Sequence, residues 1–231
     1  MISSYHIRLL IEECREMGWS GLNNGKTASM PQIQIDVLKP PHDFLGVQGN
    51  PAIFVNQSTY KLLGHLHKNW VMNQTIALKT TFFEQKTIDV IGAIIHEGGH
   101  AFNVAAKIAN TETNAYIYEI EMMRKLFETK SPLLFGCDFS DIQSFFKGRL
   151  AFYNKGIDNK DNSDKKYLAS LVEAIKQEFK LEEEVAPSPE QKNSERISIF
   201  ITGITLFKQK QWTKENEIVL EKMKMGFSSN S

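Results

Sequence analysis

"IDVIGAIIHEGGHAFNVAAKIANTETNAYIYEIEMM", residues 88–123, joins a long apolar helix pattern to a second one and carries a histidine pair between. Ile88, Ile91, Ile95 and Phe102 recur at helical spacing and form an apolar back. Asp89, His96, His100, Asn103 and Lys107 form a polar stripe, the arrangement expected of a cleft floor. His96, Glu97 and His100 spell H-E-x-x-H. On a helix, residues four apart project from one face about one turn apart, so both imidazoles can reach a single metal ion. Glu97, turned about 100° from His96, is free to act on a water in the metal's open position. Such a pattern arises by chance in about one chain of this length in a hundred, so the stripe and its apolar back carry the metal reading. Gly98 and Gly99 each weaken the helix by up to about 1 kcal/mol relative to alanine. They imply either a closely approaching backbone or a local packing need.

Outward from this stretch, Ile7, Leu10, Ile11, Cys14 and Met17 predict an amphipathic helix over residues 2–17. "GLNNGKTASMP" breaks it, and "QIQIDVL" alternates as a half-buried strand with Ile33, Ile35 and Val37 on one side. "AIFVN" and "TIALKTTFF" read as further strands and "STYKLLGHLHKNW" as a helix, with the long helical stretch starting near Lys86. Helices are expected at 111–129, 140–154, 165–184, 195–210 and 213–225. The polar stretches "GIDNKDNSDK" and "APSPEQKNS" connect them as exposed loops. The fold class is α+β: a small N-terminal mixed β-sheet within the first 85 residues, a central HExxH helix and a mostly helical C-terminal half. Residues 1–231 are expected to form a single domain, with the sheet and motif helix in 1–110 and the helical part in 111–231.

Lys+Arg and Asp+Glu balance at 27 each, so no global field draws the chain to nucleic acid or acidic lipid. Two distant cysteines, Cys14 and Cys137, are expected to be core thiols in a reducing compartment. The N-terminus lacks a Sec-type signal, and the apolar run "ISIFITGITLF" is about half a membrane span. A soluble protein made in a cytoplasm, without membrane insertion or a nucleic-acid partner, is expected.

With its HExxH helix the chain resembles the zincin metallopeptidases over residues 88–123. That resemblance implies a strand before the helix along whose edge an extended substrate lies, a place "TIALKTTFF" would take. It also implies zinc held by three protein ligands and a water. No H-x-x-G-x-x-H follows His100, so the chain is more similar to the gluzincins, whose third ligand is a glutamate on the next helix. At that distance stands Glu119. If the turn lies at "ANTE", His100 and Glu119 are level on two antiparallel helices. Glu112 is the rival: it shares a face with Glu119 and begins E-x-x-A, and it could bind only if the first helix stopped near Val104, where "VAAKIA" has no breaker. The one that does not bind is expected to orient a histidine N–H. Glu121 is expected to face away into solvent. The wording "YEIEMM" departs from better-known gluzincin third-ligand motifs, which leaves the subfamily and the oxyanion-stabilising residue open. Tyr116 and Tyr118 are candidates for that role, although tyrosines on a packed helix are more often core. His65 and His67, two apart on a helix, point in different directions and make poor joint ligands.

The expected function is a zinc-dependent metalloendopeptidase: His96, His100 and Glu119 hold Zn2+, and Glu97 acts as general base and then acid. In its composition, size and missing signal the chain also resembles translocated bacterial effector proteases. That likeness implies delivery into a host cytosol and a protein or peptide substrate such as host actin. The alternative is a zincin-like non-catalytic metal-binding protein or interaction module, using the amphipathic segment "KQKQWTKENEIVLEKMKM" for recognition.

Overall fold

The computed structural model describes residues 3–38, 52–55, 69–70, 74–158 and 162–181. Helix α1 (Ser4–Met17) starts where the Ser3 hydroxyl accepts the His6 N–H, and it buries Ile7, Leu10, Ile11, Cys14 and Met17. A turn at Leu22–Gly25 follows, with Asn23 and Asn24 at positive φ, a conformation asparagine tolerates. The chain then enters a three-stranded sheet of β1 (Gln34–Leu38), β2 (Ala52–Val55) and β3 (Thr75–Lys79). The strand order is β1-β3-β2, with β1 parallel and β2 antiparallel to β3.

Two sequence expectations change in this sheet. "TIALKTTFF" is a strand only to Lys79; Thr80–Glu84 coils into a 3-10 turn. Moreover, β3 is the centre of the sheet and not an edge. Ile76, Ala77 and Leu78 are all fully buried, so both faces of β3 are covered as well as both of its hydrogen-bonding sides. Among the described residues β2 is the edge strand that meets the motif helix.

That helix is α2 (Thr87–Ala105), and it packs against α1, β2, α3 (Glu112–Glu128) and α4 (Phe139–Ile157). Helix α5 (Ser163–Glu178) closes on α3 and α4. Side-chain caps fix the helix starts: Thr111 for α3, a reciprocal Asp138–Asp141 capping box for α4, and Asn162 for α5. The architecture is therefore α+β, with a small mixed sheet and mostly helical content. Among the described residues no helix is long and apolar enough to cross a membrane. Most of the expected helix at 58–70, with His65 and His67, lies outside the described residues, as do the helices expected at 195–210 and 213–225 and the segment "KQKQWTKENEIVLEKMKM". Cys14 is buried and Cys137 half-buried, both as free thiols; burial pushes the Cys14 thiol up to about 12.

The α2–α3 turn decides which glutamate meets which histidine. The Lys107 N–H reaches the Val104 carbonyl and the Ile108 N–H the Asn103 carbonyl, the two bonds of a Schellman motif. Lys107 takes the left-handed position at φ +56° where glycine is usual. Two of the three glycines of α2, Gly92 and Gly99, are close-approach sites. A Cβ on Gly99 would lie 3.1 Å from the Ala115 carbonyl oxygen and 3.2 Å from the Ala115 Cα, and one on Gly92 would strike the Phe145 ring. Gly98 meets only ordinary contacts, the nearest being Cys14 Sγ at 3.4 Å.

Gly98→Ala and Gly99→Ala should therefore separate in urea denaturation. Gly98→Ala gains helix propensity and is expected to leave the midpoint unchanged or higher. Gly99→Ala is expected to lose roughly 1–2 kcal/mol, overpacking outweighing propensity. Equal midpoints for the two variants would contradict the close approach of α2 and α3.

Candidate metal centre

Helix α2 supplies His96 and His100, and the first residue of α3 supplies Glu112. Because α2 ends at Ala105, the two helices are offset so that Glu112 falls opposite both rings. His96 Nε2 lies 3.1 Å from Glu112 Oε2, and His100 Nε2 lies 3.5 Å from Glu112 Oε1. Ligand atoms of the three residues all fall within 4.8 Å of one another. Tetrahedral zinc with bonds near 2.0–2.1 Å separates its ligand atoms by about 3.3 Å, a spacing that the two histidine–glutamate distances bracket.

The remaining ring nitrogens are held from outside the cluster. His96 Nδ1 lies 2.8 Å from Glu119 Oε2, and His100 Nδ1 lies 2.8 Å from Asn110 Oδ1. An acceptor on Nδ1 keeps a proton there and leaves the Nε2 lone pair for a metal. Glu119, expected as the third ligand, thus sits on the far side of the His96 ring from Glu112. It is fully buried and also accepts from Arg149 Nε at 2.7 Å, from Arg149 Nη2 and from the Tyr153 hydroxyl at 2.7 Å. The structure brings His96, His100 and Glu112 together and commits Glu119 to His96 Nδ1, Arg149 and Tyr153.

Exposure rises across the cluster, from 1% for the His96 side chain to 12% for His100 and 26% for Glu112. Of the polar stripe, His96 and Asn103 are thus interior, Asp89 and His100 half-buried and Lys107 exposed, and solvent reaches the cluster from the Glu112 end. Asn103, on the same stripe, is fully buried, and neither atom of its amide has a hydrogen-bond partner among the described residues. Glu97 is also buried; its Oε2 accepts the Phe54 N–H of β2 at 2.6 Å, tying the second motif residue to the edge strand. Its charge is close enough to His100 to help raise that ring's pKa.

The other acidic and tyrosine candidates have structural partners. Glu121, expected in solvent, is half-buried and accepts from the Asn23 N–H at 2.5 Å and the Tyr167 hydroxyl at 2.6 Å. Burial raises its carboxyl pKa against the pull of those bonds. The Tyr118 hydroxyl donates to the Cys14 carbonyl at 2.9 Å. The Tyr116 ring lies 5.1 Å from that of His96.

Sequence reading missed Asn110, Arg149, Tyr153 and the Phe54 amide. Arg149 carried a signal: on α4 it occupies the same buried face as Ile142, Phe145, Phe146 and Tyr153, and a lone cation there needs a buried anion.

Without a metal the cluster is an ion-paired network. Burial alone would lower the His96 pKa, but hydrogen bonds and charges from Glu112 and Glu119 outweigh it and lift it to about 9. Burial likewise presses His100 down, and Glu112 raises it overall. Glu112 is held well below the usual carboxylate range, the two histidines overcoming its desolvation. Glu119 is held down at about 2, chiefly by Arg149 and then His96, again against burial.

No family model matches the chain, and no curated protein or solved structure matches it either.

The directions of these shifts fix a pH profile for the metal-free chain. A raised His96 stabilises the fold fully below the ordinary histidine value of 6.5, and that contribution is lost as pH rises through about 9. A depressed Glu119 stabilises it above 4.5, and that contribution is lost as pH falls through about 2. The urea midpoint of chelator-treated protein is expected to be highest between these limits and to fall from pH 6.5 to 9. A midpoint that is flat or rising over that range contradicts the network.

Proposed function

We propose that the chain is a zinc-dependent metalloendopeptidase of zincin-like fold, with His96, His100 and Glu112 as the zinc ligands. One observation carries this reading: both imidazoles turn Nε2 toward the Glu112 carboxylate while acceptors outside the cluster hold both Nδ1 atoms. A structural ion pair needs no such matched orientation. Two imidazoles and one carboxylate are also a donor set suited to zinc in a catalytic site, which keeps a fourth position open. Zinc bound there would supply a water of near-neutral pKa and polarise a scissile carbonyl.

The chain's own residues supply the rest. Glu112, the most exposed of the three, stands at the solvent-facing end through which a peptide would enter. With zinc in place, Glu97 would be the group to take a proton from the water and return it to the leaving amine. The Phe54 N–H holds one oxygen of that carboxylate, which fixes its rotamer beside the edge strand. Glu119 keeps His96 in the tautomer that presents Nε2. The expected substrate is a protein, and host actin is the first to test.

A non-catalytic metal-binding module is the second reading, and the same Glu97 contact favours it: a carboxylate already bonded to a strand amide has a structural task. Purified wild type, Glu97→Gln, Glu112→Gln and Glu119→Gln separate the two readings through zinc content and cleavage of actin and of a eukaryotic lysate. The peptidase reading expects about one zinc per chain in wild type and Glu97→Gln, loss of zinc in Glu112→Gln, and affinity weakened about 10–100-fold in Glu119→Gln. Chelator-sensitive fragments are expected from wild type, and none from Glu97→Gln. Undiminished cleavage by Glu97→Gln would sink the peptidase mechanism; zinc without cleavage by any protein would favour the binding module.

A further inference from the structure

Helix α4 contributes no metal ligand to this cluster, yet it places one cation and one hydroxyl against its deepest carboxylate. Arg149 Nε and Nη2 both donate to Glu119, the Nε bond at 2.7 Å, and the Tyr153 hydroxyl donates to Glu119 Oε1 at 2.7 Å. The guanidinium is itself confined: its carbon lies 5.5 Å from the Tyr116 and Phe152 ring centroids and 5.8 Å from that of Tyr153. Arg149 is only 5% exposed and Tyr153 and Glu119 are fully buried. With the His96 ring as its fourth contact, Glu119 has no freedom to turn toward Glu112 or the solvent-facing end of the cluster.

We propose that Arg149 and Tyr153 are positioning residues: acting through Glu119, they set the orientation of the His96 ring and so the zinc affinity of the site on α2 and α3. The inference rests on the zinc reading above. The geometry supports a task beyond packing. A buried ion pair contributes little net stability compared with apolar residues of the same volume, and the α4 face around Arg149 is otherwise aromatic and aliphatic. A planar two-nitrogen fork also fixes a carboxylate's plane, which a lysine ammonium cannot do. Glu119 Oε2 is the nearer contact of His96 Nδ1, at 2.8 Å against 3.4 Å for Arg149 Nη2, so the plane of Glu119 bears most directly on where that nitrogen, and therefore Nε2, points.

The test uses the full chain and metal alone. Zinc affinity is measured by chelator competition, and the visible absorption spectrum of the Co2+-loaded protein reports ligand geometry. Circular dichroism establishes folding. The variants are Tyr153→Phe, Arg149→Lys and the charge-neutral pair Glu119→Gln with Arg149→Met. Tyr153→Phe removes one donor and leaves the ion pair, so it is expected to fold as wild type with zinc affinity a few-fold weaker. Arg149→Lys and the double variant are expected to lose about 10–100-fold, each with a shifted Co2+ spectrum. Folded variants that bind zinc as wild type does, with an unchanged Co2+ spectrum, would overturn the positioning role and leave the zinc reading intact. A folded wild type that takes up neither metal would overturn both. If the two Arg149 variants fail to fold, Tyr153→Phe decides: reduced affinity with a shifted spectrum supports the role, and wild-type behaviour overturns it.

Discussion

The contact on which the cluster depends is the approach of two helix backbones at Gly99 and Ala115. The space a side chain would need at Gly99 is taken by the Ala115 backbone, so α2 and α3 lie closer than larger residues would permit. At that separation the two glutamates of α3 that share its α2-facing side can both reach one imidazole. Glu112 meets Nε2 of His96 and Glu119 meets Nδ1. The glutamates are two turns apart, about 10 Å along the helix axis, and the ring between them is gripped from both sides. Widening the helix pair would leave the buried His96 ring without either glutamate.

The interior charge that results is costly. Moving carboxylates, an imidazole and a guanidinium out of water carries a desolvation penalty of several kcal/mol per ion, and pairing only partly offsets it. The structure limits that cost by giving every oxygen of Glu119 a donor and by caging Arg149 among aromatic rings. An apolar core of equal volume would meet the needs of folding with less demand on geometry.

Much of this was legible in the sequence. The 3.6-residue pattern located α1, α3 and α4 to within three residues and the starts of α2 and α5 to within two, because each helix buries one apolar stripe, although it ran α5 on to 184 where the helix ends at Glu178; H-E-x-x-H located two of the three cluster residues. The third position was not legible, for a reason that can be named. The α2 terminus is a Schellman motif with Lys107 at φ +56°. Without a glycine there, the sequence "VAAKIA" offers no stop. The turn then falls earlier than "ANTE", and the level of every residue on α3 shifts against α2. That displacement moves Glu112 onto the two Nε2 atoms and Glu119 onto Nδ1. The order of the sheet was hidden for another reason: the buried run Ile76–Ala77–Leu78 marks a strand covered on both faces, but nothing in it says which strands lie beside it. Arg149 was legible in principle, since a cation on a buried helix face requires an anion, but the identity of that anion depends on how α4 packs across α2 and α3.

The most direct measurement is an anomalous-scattering map at the zinc edge from crystals of the zinc-loaded chain. One strong peak is expected about 2.0–2.2 Å from His96 Nε2, His100 Nε2 and a Glu112 oxygen, with Glu119 still on His96 Nδ1. A peak bonded to Glu119, or zinc bound away from His96 and His100, would contradict it.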